Sequence, residues 1–266
     1  MKIGVHSDLH SECSLCTISN LAELDVLVLA GDIGDPATVP LFFDYLRRKA
    51  PKLPVLYVLG NHEYYGFALN EAKDLYRSIC QKYDITLLDD DSITLDGVQF
   101  IGSTLWTDFS LGGDADASMR WAGRTLPDFR EIYDEKGRPL TPETMRMLHQ
   151  VSRAYIETAL DPAAEARVVI SHFVPRLELV AKRHYTKAVG LLHSAYWTTH
   201  LPELTTREPV DLRPQPRQHQ HLHRRHPLRQ QPARLLAHLR SGGAARLQPR
   251  VLRADLKGRA SLANSP

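Results

Sequence analysis

Short apolar runs rich in β-branched residues recur along residues 1–212, and several end abruptly on a polar, glycine-bearing motif. Residues 2–7 (KIGVHS), 25–30 (DVLVLA), 55–59 (VLYVL) and 167–170 (RVVI) are too short and too β-rich for helices and predict buried strands. Between them the period changes. Asp35, Pro36 and Thr38 supply turn and capping chemistry before an apolar run at 39–45, and residues 70–82 predict a second helix. Shorter β-rich pieces follow at 85–88, 93–95 and 98–105, and a polar stretch at 110–138 then interrupts the alternation as an insertion near the site mouth. Thr141 as a cap, Pro142 at the first helical position and Glu143 in the first turn open a helix reaching about residue 160. Within it Leu148, Val151 and Tyr155 are spaced to share one face, expected to be core. Strand and helix alternate without an internal repeat, which predicts an α/β fold.

A length of 266 residues suits one large α/β domain or two small ones, and the continuous alternation favours one. Three cysteines make no disulfide framework, and neither a signal-like opening nor a long apolar span is present, so the expected location is cytoplasmic. Charge divides the chain. From Arg213 onward eleven arginines and one lysine face the single acid Asp255, a tail of +11 that leaves residues 1–212 at −9 within an overall +2. The tail also lacks Ile, Phe, Tyr, Trp, Met and Cys. Such a composition cannot bury enough apolar surface to offset chain ordering, so residues 213–266 are expected to be a disordered, Arg/Pro/Gln/His-rich tail beside a domain spanning 1–212.

The polar motifs carry the chemistry: DLH (Asp8, His10), GDIGD (Asp32, Asp35), GNHE (Asn61, His62) and SH (His172) each follow a predicted strand. Ligand sites of open α/β sheets gather at the carboxyl ends of strands, so these side chains can converge. Asp8 and His10 can reach one cation with mixed oxygen and nitrogen ligation, which suits Mn, Fe or Zn better than calcium. Asp32 follows Gly31, whose missing side chain permits a sharp turn and close approach, and its two oxygens can bridge two ions. Asn61 and His172 offer an amide oxygen and an imidazole to the second. Two cations about 3.5–4 Å apart clamp a phosphate and lower the pKa of a bound water to about 7. His62 would face the leaving oxygen.

The ordered set DxH, GDxxD, GNHE and a later strand-terminal His resembles the calcineurin-like metallophosphoesterase family over residues 1–212. The resemblance implies a two-sheet sandwich flanked by helices, two divalent metal ions, and hydrolysis of a phosphoester substrate by a metal-bound hydroxide. By position it implies Asp8 and His10 on the first metal, Asp32 as bridge, Asn61 and His172 on the second, His62 as general acid or transition-state stabiliser, and Asp35 as the acid that orients it. STLWTDF at 103–109 and DFREI at 128–132 are similar to a bacterial branch of the family. The family's closing GHxH and NPxGY motifs do not occur. Read one base later, Pro216 and Arg217 are compatible with HG, and residues 231–236 with NPRGY. The composition break at Leu212 therefore predicts a tail translated out of frame.

Other readings compete at single positions. Asp35 can simply cap the helix after Pro36. Glu63, Tyr64 and Tyr65 are expected to be pocket wall or packing, Cys13 and Cys16 ordinary loop cysteines, and Cys80 core. His219, His221 and His223 resemble a metal cluster but are expected to be by-products of the shifted frame, and the sequence does not separate roles for His184, His193 and His200. A second function class is a polyanion or nucleic-acid binder acting through the basic tail by counterion release. The ordered strand-end motifs favour the hydrolase, because the tail offers only a composition.

Overall fold

A computed structural model of the chain describes residues 1–14, 16–185 and 190–202 in full, and the backbone of three later strands at 236–239, 251–254 and 260–261. Four parallel strands, β1 (Lys2–His6), β2 (Val26–Ala30), β3 (Val55–Val58) and β4 (Thr86–Leu87), lie side by side in chain order. A second sheet holds β5 (Asp91–Leu95), β6 (Val98–Ser103) and β7 (Ala166–Ser171), with β6 antiparallel to β5 and parallel to β7. The expected α/β two-sheet sandwich is therefore present.

Alternation along the strands explains the layers, since successive side chains point to opposite faces. Ile3, Val5, Val26, Val28, Leu56 and Val58 pack on Val98, Phe100, Val168 and Ile170 between the sheets. The intervening Leu27, Leu29, Val55 and Tyr57 face helices α1 (Val39–Lys49) and α2 (Leu69–Lys82), where Phe43, Leu46, Tyr76 and Cys80 meet them. Runs buried on both faces read as continuous apolar stretches, which is why these strands were legible. α1 continues beyond residue 45 because Leu46 is buried and Arg47 ties the next turn down, donating to the carbonyls of Tyr83 (2.7 Å) and Leu53 (2.8 Å).

Two expectations are corrected beyond the strands. The 110–138 stretch contains α3 (Ala115–Thr125), started by Asp114 accepting from Ala117 N at 2.8 Å, and the short α4 (Asp128–Glu131). Its buried residues Met119, Ala122 and Phe129 join the main core, so the polar surface concealed amphipathic helices. In α5 (Pro142–Ala159) Thr141 caps as expected, accepting from Thr144 N at 3.1 Å, but the buried face is Met145, His149, Ser152 and Ile156. Val151 is 62 % exposed, while Leu148 and Tyr155 pack only at the margin. Two polar residues occupy the inner stripe because each has a partner: His149 Nδ1 lies 2.9 Å from the Leu105 carbonyl and Ser152 donates to Asp90 at 3.0 Å. A hydropathy reading shifts the stripe onto neighbouring apolar residues.

A short helix, α6 (Gly190–Ser194), packs on α3. The remaining described elements are β8 (Leu236–Leu239), antiparallel to β7, β9 (Val251–Ala254), antiparallel to β1, and β10 (Ala260–Ser261), paired with β9. The backbone of β8 thus lies along the edge of β7 and that of β9 along the edge of β1. Edge strands offer unpaired main-chain groups that an extended segment can satisfy. The rest of the tail, including Pro216, Arg217, His219, His221, His223 and residues 231–235, lies outside the described residues. Among the described residues no helix is long and apolar enough to cross a membrane.

Candidate metal centre

The loops leaving β1 and β2 continue the strand pairing one step past the sheet: Asp8 N donates to Gly31 O (3.0 Å), His10 N to Asp32 O (3.0 Å) and Ser11 N to Ile33 O (2.9 Å). This zipping holds Asp8, His10 and Asp32 at φ 51°, 48° and 54°, a left-handed conformation that non-glycine residues adopt rarely and at a cost. Three of the sequence-predicted ligands thus sit in strained backbone fixed by their neighbours. Gly31 and Gly60 make room for them. A Cβ on Gly31 would lie 2.4 Å from His172 Nδ1, and one on Gly60 2.2 Å from Asp32 Oδ1, so neither position has space for a side chain.

Asp32 is the buried hub. Its Oδ2 lies 3.8 Å from His10 Nε2 and 3.9 Å from His62 Nε2, and its Oδ1 lies 3.5 Å from His172 Nε2. Candidate ligand atoms of His10, Asp32 and His62 all fall within 4.8 Å of one another. On the other side His172 Nε2 is 3.1 Å from Asn61 Oδ1. Asp8, which accepts from the Ser7 hydroxyl, is partly buried and interacts electrostatically with His172, Asp32 and His10. The structure therefore brings together Asp8, His10, Asp32, Asn61, His62 and His172.

Tautomers follow from the outer partners. His172 Nδ1 is 3.0 Å from the carbonyl of Ala30, which can only accept, so Nδ1 carries the proton and Nε2 presents its lone pair to the site. His10 Nδ1 is held by Glu12 at 3.0 Å in the same sense, leaving Nε2 toward Asp32. Asn61 donates its amide hydrogens to Tyr65 Oη (3.2 Å) and Asp128 Oδ1 (3.1 Å), so its Oδ1 also faces inward. Lone pairs on two imidazoles, an amide oxygen and two carboxylates point at each other across a buried space. Only cations or protons make that arrangement favourable, and the mixed N/O donor set fits divalent transition metals.

Protonation of the metal-free site shows the same demand. Burial pushes Asp32 up, but the imidazoles of His172, His62 and His10 outweigh it and hold the carboxyl below its usual range. Burial keeps Asp8 above that range. For His10 burial acts downward, and the Glu12 hydrogen bond with the charges of Asp32 and Asp8 overcomes it, raising the imidazole to about 9. A folded-state value above the ordinary 6.5 contributes stability fully present below pH 6.5 and lost as pH rises through about 9. The chelated protein is therefore expected to lose thermal stability between pH 7 and about 10, with a smaller decline in Glu12→Gln, as followed by melting temperature. A flat profile in the parent would contradict the His10–Glu12 assignment.

Two anchors escaped the sequence reading. Glu63, expected to be packing, is completely buried and accepts from Asp32 N (2.9 Å), Ile33 N (2.7 Å), Gly60 N (2.7 Å) and Tyr57 Oη (2.8 Å), stapling the GDIGD loop to the GNHE loop. Glu12 orients His10. The Glu at the fourth place of GNHE, directly after Asn61 and His62, was the available signal for the first, and the DLHSE spacing for the second. Asp35 Oδ1 accepts from Ala37 N (3.1 Å), Thr38 N (2.8 Å) and Thr38 Oγ1 (2.7 Å), an Asx-type turn that starts α1. That oxygen is thus engaged in capping rather than on His62. The His62 ring stacks on Tyr65, centroids 4.5 Å apart, and meets His10 edge-on at 4.6 Å. Outside the centre, His193 stacks on Trp121, His184 meets Trp197 edge-on, and His200 lies 3.8 Å from Glu178. Cys13, Cys16 and Cys80 carry thiols that are not joined in a disulfide, and Cys80 is buried.

Residues 1–157 match the family model of the calcineurin-like phosphoesterases, and the chain belongs to that family. It is 26 % identical over 160 residues to the uncharacterized protein L509 of Acanthamoeba polyphaga mimivirus, covering 56 % of this chain and 55 % of the viral protein. The chain thus spans about half the length of the curated relative it matches. No solved structure matches it.

Proposed function

We propose that the protein is a metal-dependent phosphoester hydrolase with a dinuclear centre. Asp8 and His10 would hold one divalent ion, Asn61 and His172 the other, and Asp32 both. The facing lone pairs of His172 Nε2 and Asn61 Oδ1, 3.1 Å apart beside Asp32 Oδ1, carry this reading, because they repel unless a cation or proton lies between them. Divalent ions there would polarise a phosphoryl oxygen and acidify a water. The protein's own part is positional: Glu63 and the two glycines hold the loops, Glu12 and the Ala30 carbonyl fix the imidazole tautomers, and Asn61 and His172 fill the second half-site.

His62 is suited to donating a proton to the leaving oxygen. Its backbone N–H anchors to Asp32 Oδ1 at 3.0 Å, Tyr65 supports its ring, and 38 % of the side chain is exposed. Aryl phosphate mono- and diesters with Mn²⁺ test the activity. His62→Ala is expected to slow turnover by roughly 10²–10⁴ while metal content stays nearly intact, as when proton donation alone is removed. Loss of metal equal to that of a ligand variant would reassign His62 to ligation.

A further inference from the structure

Asp128, the first residue of α4, is wholly buried behind the metal centre and touches it through one residue. Its Oδ1 accepts from Asn61 Nδ2 at 3.1 Å and from Tyr65 Oη at 2.5 Å, and its Oδ2 accepts from the Tyr196 hydroxyl. Both oxygens are therefore engaged by donors brought from the GNHE loop and from the segment after α6.

The consequence falls on Asn61. A primary amide has nearly identical ends, and nothing in its own shape selects which one faces a cation. Turned over, Asn61 would press its carbonyl oxygen against the Asp128 carboxylate and aim an N–H₂ group at His172 Nε2. The first contact sets acceptor against acceptor in a dry environment, and the second sets donor hydrogens where a cation would sit. We propose that Asp128 is a positioning residue that locks the Asn61 amide with Oδ1 toward the second cation, so that the insertion at 110–138 completes the metal centre from behind. Tyr196 and Tyr65 hold the carboxylate in place, and Tyr65 also carries the face of His62, joining ligand orientation to the proton donor through one ring.

This inference rests on the dinuclear reading, and one titration separates the two. Full-length protein, freed of metal by chelation, is titrated with Mn²⁺ by calorimetry. The parent takes up two ions. Asp128→Leu, similar in size but unable to accept, binds the first ion as the parent does and the second at least tenfold more weakly, in line with losses on removing a ligand's supporting partner. Asp128→Asn, whose amide oxygen can still accept from Asn61 Nδ2, binds the second ion as the parent does, a rescue by acceptor chemistry that separates the lock from a loss of packing. An unchanged second affinity in Asp128→Leu, or equal weakening of both ions, overturns the positioning role while leaving the dinuclear centre standing. If Asp128→Leu does not fold, Asp128→Ala takes its place with the same outcomes: selective tenfold weakening of the second ion supports the role, and unchanged affinity or equal weakening of both ions overturns it. A parent that binds fewer than two ions overturns both readings.

Discussion

Replacing Asp32 with asparagine is expected to abolish metal-dependent hydrolysis. The substitution keeps size and shape but removes the charge at the one side chain whose two oxygens face His172 on one side and His10 and His62 on the other. Asn offers a single carbonyl oxygen and turns an N–H₂ group toward an imidazole lone pair, so a bridge between two cations is lost at both ends. The metal-free fold is expected to survive, because the buried charge is costly and its backbone contacts to His10 and Glu63 remain. Metal stoichiometry and aryl phosphate turnover, measured together on folded protein, check this. Turnover within tenfold of the parent would remove Asp32 from the centre of the mechanism.

Glu63→Ala is expected to act on stability before chemistry. The carboxylate receives the backbone N–H groups of Asp32, Ile33 and Gly60 together with the Tyr57 hydroxyl, all within 2.9 Å and inside the core. Alanine leaves these donors buried without an acceptor, at about 1–3 kcal/mol for each such group before water enters the void. A net loss on the order of 3–5 kcal/mol follows, a large share of the 5–15 kcal/mol typical of a domain. Burial and the nearby Asp32 push the Glu63 carboxyl up, so the charge is itself held at a cost that offsets part of the gain. Denaturant unfolding of parent and variant measures the difference. A change below about 1 kcal/mol would mean that the loops are held by other contacts.

The strands of the sandwich and six side chains of the candidate site were legible because both signals are local. A buried strand is a short β-rich run, and a candidate ligand lies one or two places past its carboxyl end; Asp8, Asp32 and His172 need no knowledge of distant sequence. What was not legible acts across distance. Glu63 bonds to backbone groups about thirty residues away, and backbone donors leave no mark on side-chain pattern. Asp128 and Asn61 are separated by 67 positions, so neither identifies the other. The inner face of α5 was misplaced for a related reason: His149 and Ser152 are buried by virtue of Leu105 and Asp90, partners that hydropathy does not see. Asp35 had two readings in the sequence, and the observed turn at Ala37 and Thr38 occupies one of its oxygens in the plainer of them.

The proposed hydrolysis depends on two cations meeting at Asp32, and stepwise reconstitution tests this most directly. Chelated full-length protein is titrated with Mn²⁺ while bound metal and hydrolysis of an aryl phosphate are followed in the same samples. Uptake of two ions per chain, with proton release at neutral pH as imidazoles give up their protons, and turnover that rises with occupancy of the second ion, is the predicted result. Saturation at one ion, or hydrolysis that persists unchanged in the chelated protein, would contradict it.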